Sequence, residues 1–276
     1  MKTQRSLRQA TALLKALGCA AVLVLSSSSA LALEWSPDGL LFRPLAANPL
    51  EARVAVLFQP AADKLRLDIG TTIDLAAIRG IDGETRFGVD FFTLTRLRSV
   101  GRFKFPVETS DYFFGVNASR RHEFSDWTFL GRMRLAHISS HLVDGYDGTR
   151  QPFTYSREFV ELIGAAEIDE WRAYGGFTWL FSSIPDDFGV ITPQLGVDVM
   201  WQLAENLFLR GGYNLTAPTI TGDIEIVQAT DLGLKLGTRD GAGVVLSFRS
   251  YNGPSVHGMF YDRMDSYGAV SLEAEF

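Results

Sequence analysis

The stretch from Trp127 to Tyr146 reads WTFLGRMRLAHISSHLVDGY, and a period of two sorts it into two faces. Trp127, Phe129, Gly131, Met133 and Leu135 share one face, and Thr128, Arg132, Arg134 and Ala136 share the other. Successive side chains of a β-strand point to opposite sides, so this is a strand with one apolar face and one arginine-bearing face. About ten alternating residues is the length of a membrane-spanning strand. The apolar parity then ends, unchanged, in His137, Ser139 and His141.

The same alternation recurs along the chain. It predicts strands at 53–58, 65–77, 85–97, 111–119, 127–140, 154–166, 171–181, 191–203, 206–216, 226–237, 244–251 and 266–276. That is about twelve, an even number, as expected of a bacterial membrane barrel. The later strands show the pattern best. Leu195, Val197, Val199, Trp201 and Leu203 oppose Gln194, Asp198 and Gln202, and Val270, Leu272, Ala274 and Phe276 oppose Ser271, Glu273 and Glu275. A soluble sandwich also alternates, but its polar face is rarely so rich in arginine. Trp127, Trp171, Trp179, Trp201, Tyr213, Tyr251 and Tyr267 stand near strand ends, where an aromatic girdle would sit. The expected fold class is therefore all-β, a transmembrane antiparallel β-barrel of about twelve strands.

The N-terminus reads as a targeting segment. Lys2, Arg5, Arg8 and Lys15 precede a short apolar run, and Ala30-Leu31-Ala32 is an A-x-A cleavage site. The expected organisation is a signal peptide at 1–32, an irregular segment at 33–52 and the barrel at 53–276. The run is far shorter than a membrane-spanning helix needs. Removing the signal's four basic residues takes the formal charge from −6 to −10 and removes Cys19, the sole cysteine. Thiolate catalysis, disulfides and cysteine-based metal sites are thereby excluded from the mature chain. No basic cluster points to nucleic acid. The expected location is the bacterial outer membrane. The expected partners are outer-membrane lipid and, through the last strand ending at the apolar Phe276, the barrel-assembly machinery.

The inward parity gathers Arg132, Arg134, Arg157, Glu161, Arg172, Asp198, Arg210, Lys235, Arg249, Glu273 and Glu275. In a barrel of about twelve strands these charges are expected to pair across a narrow interior as a polar core. A narrow solute channel is the alternative, and a structural or surface-binding barrel carrying contacts on loops 141–152 and 252–265 is a third reading.

The rim carries the chemistry. A serine beside a histidine is the minimum for acyl transfer, because the imidazole removes the hydroxyl proton as the oxygen attacks an ester. His137 and Ser139 share one face, and Glu158, on the next strand, has the parity and height to orient the histidine, with Ser156 as an alternative. The bland reading is a hydrogen-bonded polar cap where a strand leaves the bilayer. Asp144 and Asp147 are loop acids that could bind Ca²⁺, and no other cofactor is expected. His257, near Tyr261 and Asp262, reads as loop packing or as part of a surface site.

The His-x-Ser pair at a barrel's lipid-facing rim resembles that of two families of lipid hydrolase, the outer-membrane phospholipase A and the lipid A deacylase. The resemblance implies His137 as base and Ser139 as nucleophile. Those enzymes carry Asn after the serine, where this chain has Ser140, and their third residue lies nearer in sequence, where this chain has Gln151. LFRPLAANP, RLAHISSHLVDGYD, YSREFVEL, RAYGGFTWLF and YNGPSVHGMFYDR resemble the ordered motifs of an uncharacterised family of bacterial outer-membrane barrels. That resemblance implies the barrel and its location, with no activity.

Overall fold

The structure, a computed structural model, describes residues 32–80 and 82–276. The expected signal at 1–32 lies outside the described residues, apart from Ala32. Twelve wall strands follow one another: β1 (Val54–Gln59), β2 (Lys64–Gly80), β3 (Gly83–Arg98), β4 (Val107–Glu123), β5 (Thr128–Leu142), β6 (Tyr155–Ile168), β7 (Trp171–Ile184), β8 (Ile191–Ala204), β9 (Leu207–Thr216), β10 (Val227–Gly237), β11 (Gly243–Pro254) and β12 (Met264–Glu275). Each pairs antiparallel with the next, and β12 pairs back onto β1. The result is a closed barrel, which leaves no long sheet edge to be satisfied in lipid.

Every strand expected from alternation forms, but several run further. β4 starts at Val107 and ends at Glu123, where the pattern is legible only over 111–119. Its ends, Glu108-Thr109-Ser110 and Arg120-Arg121-His122, are polar on both faces. There the strand stands clear of the apolar band, so the two-face signal fades while the backbone ladder continues. One end of the barrel carries tight turns such as Asp169–Glu170 and Glu205–Asn206, and the other carries the longer connections.

The outer wall is apolar and exposed. Leu232, Leu234 and Leu236 stand opposite Phe248, Leu246 and Val244, and Phe248 and Leu246 stand opposite Val270 and Leu272. All eight side chains are exposed. A continuous apolar surface of this extent suits a hydrocarbon solvent. At the tight-turn end Trp171 meets Trp201 edge-on at 5.3 Å and Phe124 stacks on Trp127 at 4.3 Å. Tyr251 and Tyr267 do not join this girdle. They share the parity of Arg249 and Glu273, face inward, and stack on each other at 5.4 Å.

The interior holds the charge. Arg132 donates to Glu51 at 2.9 and 2.5 Å and to Glu161 at 3.0 Å, and Arg134 donates to Glu161 at 2.8 and 2.7 Å. Arg172 pairs with Asp198 at 2.5 Å. Arg210 reaches Asp231, Glu273 and Glu275, Arg249 reaches Asp231 and Glu273, and Lys235 reaches Glu275. The inward charges thus pair with one another, with the exception of Arg157, which makes no ion pair among the described residues.

Glu51, fully buried between Arg132 and Arg134, comes from the segment before the barrel. That segment is not irregular throughout. Ala32–Trp35 is a short strand on the edge of β2, pairing Trp35 with Ala76, and the open edge of β2 explains why it forms. The chain then leaves the wall, crosses the lumen over residues 36–53, and rejoins the wall as β1. Because this plug lacks regular structure, its buried carbonyls need outside donors. Arginines of the wall supply them. Arg86 donates to the Asp38 and Gly39 carbonyls, Arg172 to those of Arg43 and Pro44, and Arg66 to that of Pro49. Phe42 and Leu45 pack against Leu130 and Ile163. Gly212 lets the plug approach, since a Cβ there would lie 2.9 Å from that of Ala46.

The opposite mouth is closed by the loop between β11 and β12. Met259 and Phe260 are fully buried and pack on Phe92, Phe113 and Phe159. Asp111 holds this cap, accepting from the backbone N–H of Gly258 at 2.7 Å and meeting Nδ1 of His257 at 2.7 Å. Ser140 accepts from the N–H of Met259 at 3.0 Å. Tyr261 donates to Asp187 of a neighbouring loop, and burial together with that bond pushes its phenol pKa up.

Two outcomes follow from this packing. Glu161→Ala leaves two buried guanidinium groups short of a partner, so denaturant titration of the refolded barrel should show a loss of about 3–5 kcal/mol. Replacing Arg134 and Glu161 together by Met should recover much of it. Asp111→Ala should lower hydrogen-exchange protection of the Gly258 and Met259 amides while leaving the wall amides unchanged, since the cap loses its charged acceptor.

Candidate functional site on the outer rim

β5 carries its parity without a break from the lipid-facing band to the rim, so His137, Ser139 and His141 project outward while Ala136, Ile138 and Ser140 are buried inward. The register then sets the neighbours. Glu158 of β6 lies directly opposite His137, and Ser156 lies opposite Ser139. On the other side Phe114 of β4 stands opposite His137, and Tyr112 opposite Ser139. Directly opposed residues of an antiparallel pair have their Cβ atoms within about 5.5 Å, close enough for side chains to bond.

They do bond. Nδ1 of His137 lies 2.9 Å from Oε1 of Glu158, with both side chains partly exposed on the outer surface. A carboxylate only accepts, so the proton belongs on Nδ1, which leaves the Nε2 lone pair free to take a proton from elsewhere. His137 and Ser139 lie two residues apart on one face, with no hydrogen bond between them in this structure. Catalytic contacts of this kind commonly tighten only with substrate bound. The strand beyond Glu158 is irregular. Glu158 pairs with Ser182 and Phe159 with Leu180, so Phe181 is an extra residue of β7. A bulge at this point re-aims side chains locally, as bulges beside functional sites do.

The structure brings His137 and Glu158 together as parity anticipates, and sets Ser139 and Ser156 beside them. Tyr112 and Phe114, which flank the pair, were not anticipated. Tyr112 meets the ring of His141 edge-on at 5.9 Å, and Phe114 lies 6.3 Å from that of His137. Their only signal in the sequence is the outward parity of β4. The adjacent serines have opposite duties, because Ser140 points inward to the cap.

The remaining candidates lie apart from this cluster. His257 is buried inside the mouth against Asp111, which makes it a packing residue of the cap. Asp147 is paired with Arg98 at 2.7 Å. No group of three or more His, Cys, Asp or Glu that could hold a metal ion occurs among the described residues.

No protein-family model and no curated protein matches the sequence. Solved structures do resemble the fold. The outer membrane phospholipase of Salmonella typhi, crystallised as a dimer with bound calcium, superposes with a TM-score of 0.54 at 15% identity, over 86% of this chain and 94% of that one. The outer membrane phospholipase A of Escherichia coli gives 0.54 at 15% identity, over 84% and 93%. At this identity the likeness speaks for the fold: the chain is an outer-membrane type β-barrel.

Proposed function

We propose that this barrel, seated in the bacterial outer membrane, hydrolyses acyl esters of membrane lipid at its lipid-facing rim. The observation that carries the reading is the His137–Glu158 bond on the outer surface. An imidazole oriented by a carboxylate and sharing its face with a serine is costly to hold against lipid and has no packing purpose there. The resemblance in fold to proteins named as outer membrane phospholipases is consistent with it.

In this scheme the Ser139 hydroxyl attacks the ester carbonyl and gives its proton to Nε2 of His137. The tetrahedral adduct collapses, the C–O bond to the alcohol breaks, and the imidazolium returns the proton to the leaving oxygen. Water, activated by the same histidine, then releases the fatty acid and restores Ser139. Glu158 keeps the ring in place and stabilises its charged form. The substrate reaches the site along the outer wall, where Phe114 and Leu135 offer the acyl chain an apolar track.

The lumen has a different part in this account. Plug, cap and ion pairs close it to a through-path, so it acts as a scaffold for the rim. Planar-bilayer recordings of the refolded protein should be silent across a range of voltage, and steady single-channel conductance would favour the solute-channel alternative.

Fatty-acid release from phospholipid in mixed micelles should be measurable with the refolded, heat-modifiable protein. Ser139→Ala should reduce it by at least roughly 10³-fold, and Glu158→Ala by roughly 10² or more. Hydrolysis untouched by Ser139→Ala would sink the proposal.

A further inference from the structure

Between plug and cap the lumen keeps a cavity of about 130 Å³. Its floor is Asn48, Pro49 and Leu50 of the plug, and Tyr261 closes it from the loop end. The loop between β7 and β8 contributes Phe188, and the wall contributes both apolar rings and polar groups, among them Tyr155, Phe159, Gln194 and Asn214. It also contributes Arg157.

Arg157 breaks the rule that the rest of the lumen obeys. Arg66, Arg86, Arg132, Arg134, Arg172, Arg210 and Arg249 each meet a carboxylate. Arg157 makes no ion pair and no side-chain hydrogen bond among the described residues, and its Nε is buried without a partner. Two aromatic rings lie beside it, with its Cζ 5.1 Å from the ring centre of Phe188 and 5.8 Å from that of Tyr155. A ring attracts the charge but gives the N–H donors no lone pair in their plane. A guanidinium held in a walled cavity with unused donors is matched by a carboxylate, which takes two parallel N–H bonds.

We infer that this cavity binds a small monocarboxylate with a ring-sized apolar body, its carboxylate on Arg157 and its body among Tyr155, Phe159 and Phe188. The volume sets the scale, since a cavity of about 150 Å³ accommodates benzene, and this one is open enough on one side for a ring to enter with its carboxylate against Arg157. The site lies inside the barrel, so it is independent of the rim hydrolysis.

Benzoate is the probe, titrated by calorimetry into the refolded full chain in detergent, with benzamide as its uncharged isostere. Saturable one-to-one binding of benzoate, at least tenfold tighter than benzamide, is the expected result. Arg157→Met should weaken benzoate by about tenfold or more with the barrel still heat-modifiable, the size of a lost charged hydrogen bond. Absence of saturable benzoate binding would overturn the inference, as would benzamide binding equally well. The benzamide comparison uses the unaltered protein and decides the matter even if the variant does not fold.

Discussion

Everything in this structure depends on pairing charges inside a closed wall. A membrane barrel inverts the usual partition, with Leu234, Leu246 and Leu272 outside and Arg132, Arg134 and Arg210 inside. Each ion removed from water costs several kcal/mol unless partners repay it. The lumen meets that cost twice over. Wall carboxylates such as Glu161 and Glu273 neutralise the arginines, and the plug brings Glu51 and a series of carbonyls to donors that would otherwise be left over. The plug is therefore a structural partner of the wall, and its lack of regular structure is what makes its carbonyls available to the guanidinium groups.

This arrangement bears on function by separating two environments. The interior is given over to ion pairs and to two closures, the plug at one end and the Met259–Phe260 cap at the other. What is left for chemistry on lipid is the outer face, and there the wall offers rigidity that a loop would not. His137 and Glu158 are directly opposed on adjacent strands, so the ladder itself sets their spacing. Ser140 and Asp111 anchor the cap from the inner face of the same two strands that carry Ser139 and Tyr112 outward. A lipid held against this surface would meet the serine without leaving the bilayer.

How much of this was legible in the sequence follows from the physics of alternation. The period of two located every wall strand, because the two faces meet solvents as different as lipid and a charged interior. It also paired Glu158 with His137 in advance, since parity and strand direction suffice for neighbours on consecutive strands. It failed where both faces are polar, as at the ends of β4, and where parity was set aside, as with Tyr251 and Tyr267. The plug was out of reach. Nothing local in Leu45 or Glu51 shows that they will lie against Leu130 or Arg132, more than eighty residues away for each pair. The same holds for His257 and Asp111, which meet only because a loop folds inward. The unpaired state of Arg157 is likewise invisible until every other charge has found its partner.

The most direct test of the central claim is covalent labelling of the folded barrel with a long-chain fluorophosphonate, read by peptide mass spectrometry. The reagent reacts with a serine only where a base has activated it. The account predicts one adduct, at Ser139, that disappears in His137→Ala while the barrel stays folded. No adduct, or labelling at Ser156 or Ser182 that ignores His137, would contradict it and reduce the rim cluster to a polar cap.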